Sequence, residues 1–116
     1  PLTARPPAIA NPSAIPLRRM DDFLQAKLAE DFLLTELADH AGLGVFQLIR
    51  LCKLHHAEAP FQRLQRFRIE RSRQLLQERR LSITEIAFEC GYASPSAFGA
   101  AFRRATGMTP RAYRNL

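Results

Sequence analysis

From Leu17 onward the apolar residues recur every three or four positions and never alternate, which is the period of a helix and not of a strand. Met20, Phe23, Leu24 and Leu28 share one face of a first helix over about residues 17–28. A second helix covers 34–41 and stops at Gly42, and a third covers 45–56 with Leu48, Leu51 and Cys52 on one side. The fourth is long, 60–78, with Pro60 in its first turn and Leu64, Phe67, Ile69, Leu75 and Leu76 apolar. A fifth runs over 83–90, a sixth over 95–105, and a short last one begins at Pro110. The pattern predicts an all-α chain of seven helices. Residues 1–16 hold five of the eight prolines and no sustained apolar period, so they read as an extended interdomain linker.

The boundaries carry their own chemistry. Ser82 and Glu85 in "SITE" form a capping box, each satisfying an amide of the other. Ser94 and Thr109 stand as caps before Pro95 and Pro110. The same punctuation occurs twice. "TELADHAGL" at 35–43 aligns with "TEIAFECGY" at 84–92, and, after one inserted residue, "CKLHHAEAP" at 52–60 aligns with "FRRATGMTP" at 102–110. Each copy reads as short helix, glycine turn, second helix and proline-initiated helix. That is the order of a helix-turn-helix, and its duplication favours a DNA-binding chain over a chance helical hairpin. The implied organisation is a first subdomain at 17–59, a linker helix at 60–79 and a second subdomain at 80–116.

Charge sharpens this picture. The net charge of +6 is unevenly spread: residues 1–59 carry six Lys or Arg against seven Asp or Glu, whereas 60–116 carry eleven Arg against four Glu. An arginine-built basic half points to a polyanion. No apolar run approaches the roughly 20 residues of a membrane span. The Pro-rich start does not have the form of a secretion signal, and two cysteines make no disulfide framework, so a reducing cytoplasm is expected.

The stretch "LSITEIAFECGYASPSAFGAAFRRATGMTPRAYR" resembles the DNA-binding domain of the AraC/XylS family of bacterial transcription regulators, and "RIERSRQLLQE" is similar to that family's linker helix. The resemblance covers about residues 17–116. It implies seven helices in two helix-turn-helix (homeodomain-like) subdomains, each placing a recognition helix in a major groove of double-stranded DNA. It also implies transcription activation with a contact to RNA polymerase, for which Asp21, Asp22, Glu30 and Asp31 are candidates. A preceding sensory or dimerisation domain, and a place in the bacterial cytoplasm at the nucleoid, are further implications. A linker helix of 18–20 residues is about 27–30 Å long. Successive major grooves on one face of B-DNA lie about 34 Å apart, so one monomer is expected to read two dissimilar half-sites in tandem.

By the resemblance, the base-facing positions of the first recognition helix are Phe46, Gln47, Ile49 and Arg50. Gln can pair with adenine, Arg with guanine, and Phe or Ile can meet a thymine methyl. The alternatives are that Arg50 binds phosphate, and that Phe46 or Ile49 packs on the first helix. The matching positions of the second helix are Ser94, Ser96, Gly99 and Ala100, which offer little to a base edge. Ala97 is either a methyl contact or core. Lys53, Arg103, Arg104, Arg111 and Arg114, with the helix starts at Ser82 and Thr109, are expected on phosphates. The first unit is therefore expected to read and the second to clamp. Leu33 stands where Ser82 caps the second copy, Ala57 replaces Gly107, Arg63 replaces Tyr113 and Cys52 replaces Phe102. These departures make the first unit the softer one.

No cofactor and no catalytic motif are expected. "CKLHH" clusters Cys52, His55 and His56, but Cys52 sits at a core position and no fourth zinc ligand is evident. His40 reads as a surface residue and Cys90 as a buried small hydrophobe. Two other readings stay open: a helix-turn-helix module degenerated to protein binding, and the DNA-binding regulatory part of an alkyl-transfer repair protein.

Overall fold

A proline can open a helix as well as prevent one, because the first four amides of a helix have no intrahelical partner. In the computed structural model, which describes residues 12–116, the first helix uses that freedom. α1 spans Ala14–Ala26, three residues earlier than expected, with Pro16 in its first turn and the Leu17 amide donating to the Ser13 carbonyl at 3.1 Å. The expected linker thus ends at Ser13, and its first eleven residues lie outside the described ones. Then follow α2 (Leu34–Ala41), α3 (Val45–His56), α4 (Pro60–Glu78), α5 (Ile83–Glu89), α6 (Pro95–Thr106) and α7 (Pro110–Arg114). Among the described residues there is no strand, and no helix is long and apolar enough to cross a membrane.

The helices form two compact units. The first joins α1 to Phe32–Pro60; the second joins Lys27–Asp31 to Phe61–Leu116. The linker helix therefore groups with the second unit, because its apolar face, Ile69, Leu75 and Leu76, packs with Ile86, Ala87, Phe98 and Phe102. In the first unit, where α1, α2 and α3 pack together, Leu17, Met20 and Leu24 of α1, Leu37, Ala38 and Ala41 of α2 and Leu48 and Cys52 of α3 are buried. Phe23 adds an edge-on contact to Phe32 at 5.1 Å and a tilted one to His40 at 5.3 Å. The second unit has a longer aromatic ladder: Tyr92–Phe98 at 5.3 Å, Phe98–Phe102 at 5.7 Å and Phe102–Tyr113 at 5.4 Å.

The sequence repeat is a repeat of backbone bonds. After α2, Gly42 turns left-handed at φ +76° and the Leu43 amide donates to the Ala38 carbonyl at 2.9 Å. After α5, Gly91 turns at φ +90° and the Tyr92 amide donates to Ala87 at 2.9 Å. The recognition helices end alike as well. Gly107 at φ +80° bonds back to the Arg103 carbonyl, and Ala57, at φ +58°, bonds back to Lys53.

The first copy makes these turns with poorer residues. Ser82 Oγ accepts the Glu85 amide at 3.0 Å while Glu85 Oε1 accepts the Ser82 amide at 2.8 Å; at Leu33 only the second half survives, Glu36 Oε1 to the Leu33 amide at 2.9 Å. Ser94 Oγ caps α6 through the Ala97 amide, but Gly44 has no side chain to cap α3. Ala57 holds a left-handed conformation that costs a Cβ-bearing residue about 1–2 kcal/mol. Ala57→Gly is therefore expected to stabilise the chain by about 1 kcal/mol in urea unfolding, whereas Gly107→Ala should lose a similar amount.

Candidate nucleic-acid interface

A recognition helix must bury one side on its own unit and leave the other free. α3 does this with a 3.6-residue period: Leu48 and Cys52 are buried, while Phe46, Arg50 and Lys53, at i, i+4 and i+7, form an exposed row with Gln47 beside it. Phe46 is 86% exposed, so it does not pack on α1; Ile49 is half-buried at the flank of the row. The Phe46 ring stands open to solvent amid Gln, Arg and Lys. Leu54, 72% exposed, extends the same face. Sequence reasoning did not single it out, although the repeat places it opposite Arg104.

α6 presents the same geometry with different chemistry. Phe98 and Phe102 are buried, and Ser96, Ala100 and Arg103 repeat the i, i+4, i+7 row, with Ala97 and Arg104 exposed beside it. Ala97 is thus surface and not core. Lys53 and Arg103 occupy equivalent places, so a cation stands at the same point of both rows. At the other points Phe46 is exchanged for Ser96, Arg50 for Ala100 and half-buried Ile49 for Gly99. Ser94 lies just before the row, half-buried, with its oxygen committed to the Ala97 amide.

The expected phosphate contacts divide. Lys53, Arg103, Arg104 and Arg111 are exposed. Arg114 is turned inward: its Nε donates to the Leu76 carbonyl at 3.1 Å and its Nη2 to the Leu75 carbonyl at 3.4 Å, capping the C-terminal turn of α4. Gln77 Nε2 reinforces that join by donating to the Tyr113 hydroxyl at 3.2 Å. Arg114 thereby ties α7 to the linker helix. At Ser82 and Thr109 the side-chain oxygens accept the Glu85 and Ala112 amides at 3.0 and 3.1 Å. The start of α5 also carries the Glu85 carboxylate, which repels a phosphate. The Ser82 backbone and side-chain hydrogen bonds hold Glu85 below the ordinary glutamate value. Since its folded-state value lies under the unfolded one, the box is intact above the usual glutamate range and is lost as pH falls through the depressed value.

Cys52, Cys90 and Tyr92 are buried away from this surface. Burial pushes the Cys90 thiol up to about 11 and raises the Tyr92 phenol, so neither ionises near neutrality. Cys52 is buried whereas His55 is exposed, and among the described residues no group of three or more His, Cys, Asp or Glu is arranged to hold a metal ion.

Two units with matched turns, each exposing one face of its second helix, define a double helix-turn-helix DNA-binding domain. The helix-turn-helix domain family matches residues 37–116, and the chain belongs to the AraC/XylS family of transcription regulators. It is 35% identical over 98 residues to the HTH-type transcriptional activator RhaS of Escherichia fergusonii, covering 84% of this chain and 35% of that one. The fold is similar to an AraC-type transcriptional regulator from Chromobacterium violaceum (TM-score 0.82, 30% identity, 86% of this chain and 89% of that one). It is also similar to the DNA-binding domain of the global transcriptional factor AdpA in complex with a target DNA (TM-score 0.79, 31% identity, 88% and 92% covered). The chain spans about a third of the length of the curated relatives it matches.

Proposed function

We propose that the chain binds double-stranded DNA sequence-specifically to regulate transcription, one copy laying α3 and α6 in successive major grooves of a tandem site with dissimilar halves. The observation that carries this reading is the exposed row Phe46, Arg50, Lys53 with Gln47, repeated on α6 as a smooth row ending in Arg103 and Arg104. In this reading Gln47 and Arg50 pair with base edges, while Phe46 and Ile49 meet thymine methyls. Ser96 and Ala100 add small contacts, and Lys53, Arg103, Arg104 and Arg111 neutralise phosphates. Likeness to an activator supports activation of bacterial promoters, with an RNA polymerase contact drawn from the acidic residues. Of these, Asp22 and Asp31 are exposed, whereas Glu30 pairs with Lys27 at 3.6 Å.

Selection from random duplex DNA by the 116-residue chain tests this. Two different motifs about one helical turn apart are expected, the more informative one under α3. Four cations on phosphates give a log–log salt dependence with a slope of about −3.5 or steeper. Failure to enrich any sequence, or binding indifferent to salt, would reject the reading in favour of a protein-binding module.

A further inference from the structure

Gly99 stands in the middle of α6, where glycine serves a helix worse than any residue except proline. Relative to alanine it lowers a helix's folding equilibrium roughly fivefold. The fold does not require it. A Cβ at Gly99 would meet nothing within 4 Å, whereas one at Gly91 would collide with backbone. Nor does a left-handed turn call for it: the positive-φ glycines are Gly42, Gly91 and Gly107. Its neighbours on the helix surface, Ser96, Ala100 and Arg103, are all exposed. At the equivalent place on α3 the first unit carries Ile49, so the architecture accepts a large side chain there. A missing side chain that leaves open space within the molecule has its reason outside it.

We infer that Gly99 is a positioning residue that sets how closely α6 seats in the groove, with the DNA edge passing over its bare backbone. The inference rests on the proposed DNA-binding role of α6 and says how that helix acts without base-reading side chains. Ser96, Ala97 and Ala100 are short as well, so α6 can seat until its bare backbone at Gly99 lies against the DNA edge, and a Cβ at 99 would occupy that space. It projects about 1.5 Å from the backbone, and a shift of that size carries hydrogen bonds of about 2.7–3.2 Å out of range. Arg103, one turn along the same face, would lose its phosphate with it. The close approach thus couples groove width at the second half-site to the clamp.

The test uses Gly99→Ala in the 116-residue chain, on a duplex that the wild-type chain selects from random DNA. The variant is expected to melt about 4–8 °C higher, since only helix propensity changes within the fold. It should bind that duplex at least tenfold more weakly, with base preference under α3 unchanged. A variant that is more stable and binds as tightly as wild type overturns the inference, and so does a variant that is less stable. Should the wild-type chain select no duplex, the DNA-binding reading itself fails, a result distinct from equal binding by the two chains.

Discussion

Gly91→Ala is expected to cost the fold about 2–5 kcal/mol, more than the same substitution at Gly42, its counterpart in the repeat. Both glycines are left-handed, and that conformation alone costs alanine about 1–2 kcal/mol. At Gly42 the cost ends there: the nearest atom to an added Cβ is Arg19 Nη1 at 3.7 Å, an ordinary contact. At Gly91 the Cβ would lie 2.6 Å from the Leu28 carbonyl oxygen, 2.9 Å from Arg68 Nε and 3.0 Å from Ala29 Cα. Two of these are backbone atoms and cannot swing aside. The third belongs to the bond that ties the segment down, Arg68 Nε donating to the Leu28 carbonyl at 2.9 Å. Relief of the clash breaks that bond and leaves a half-buried carbonyl without its donor, a further cost of about 1–3 kcal/mol. Urea unfolding of the two variants measures the difference directly. Gly91→Ala should fall about 1–3 kcal/mol below Gly42→Ala, or at least roughly 4 °C in Tm. Equal losses would mean that the approach of Leu28 to the turn contributes nothing.

Neither the clash nor the bond leaves a trace in the sequence. Gly91 and Gly42 look alike there, since both follow a short helix and precede a large apolar residue. What separates them is Leu28, more than sixty positions away in the chain, and no periodicity records such a contact. The placement of Lys27–Asp31 with the second unit was hidden for the same reason. Arg114 is a similar case: in sequence it is one more cation of a basic tail, and only the approach of α7 to the end of α4 shows it capping the Leu75 and Leu76 carbonyls. Local chemistry was legible by contrast. α2, α3 and α4 begin and end at the expected residues, because glycine, proline and the capping groups act within a turn of where they stand. The start of α1 was missed because the prolines before Leu17 were read only as breakers, although Pro60, Pro95 and Pro110 were read as helix starters. For the candidate interface, the family resemblance supplied the base-facing positions and the repeat matched them between the two helices, while the structure added that Phe46 and Ala97 both face outward.

Arg50→Ala is expected to abolish discrimination at one base pair of the half-site under α3, by about ten- to a hundredfold, with the fold unchanged. Arg50 is exposed on the middle of α3, one turn from Phe46 and just short of one turn from Lys53, so its removal opens no cavity. A guanidinium that pairs with guanine through two bonds contributes about 1–3 kcal/mol of discrimination, all of it at one position. A guanidinium on phosphate would behave differently: its loss weakens every sequence about equally and lowers the salt slope by about 1. Sequence selection with the variant, together with its salt dependence, separates the two. Arg50→Lys sharpens the test, since lysine keeps the charge but lacks the planar fork; preference should fall almost as far as with alanine while the salt slope stays. The converse substitution is Ala100→Gln on α6, which adds an amide at the equivalent exposed place. It should create a preference for adenine at one position of the second half-site, where the native helix offers only a methyl. Unchanged preference in Arg50→Ala would remove Arg50 from base reading and assign the first helix, like the second, to holding the backbone.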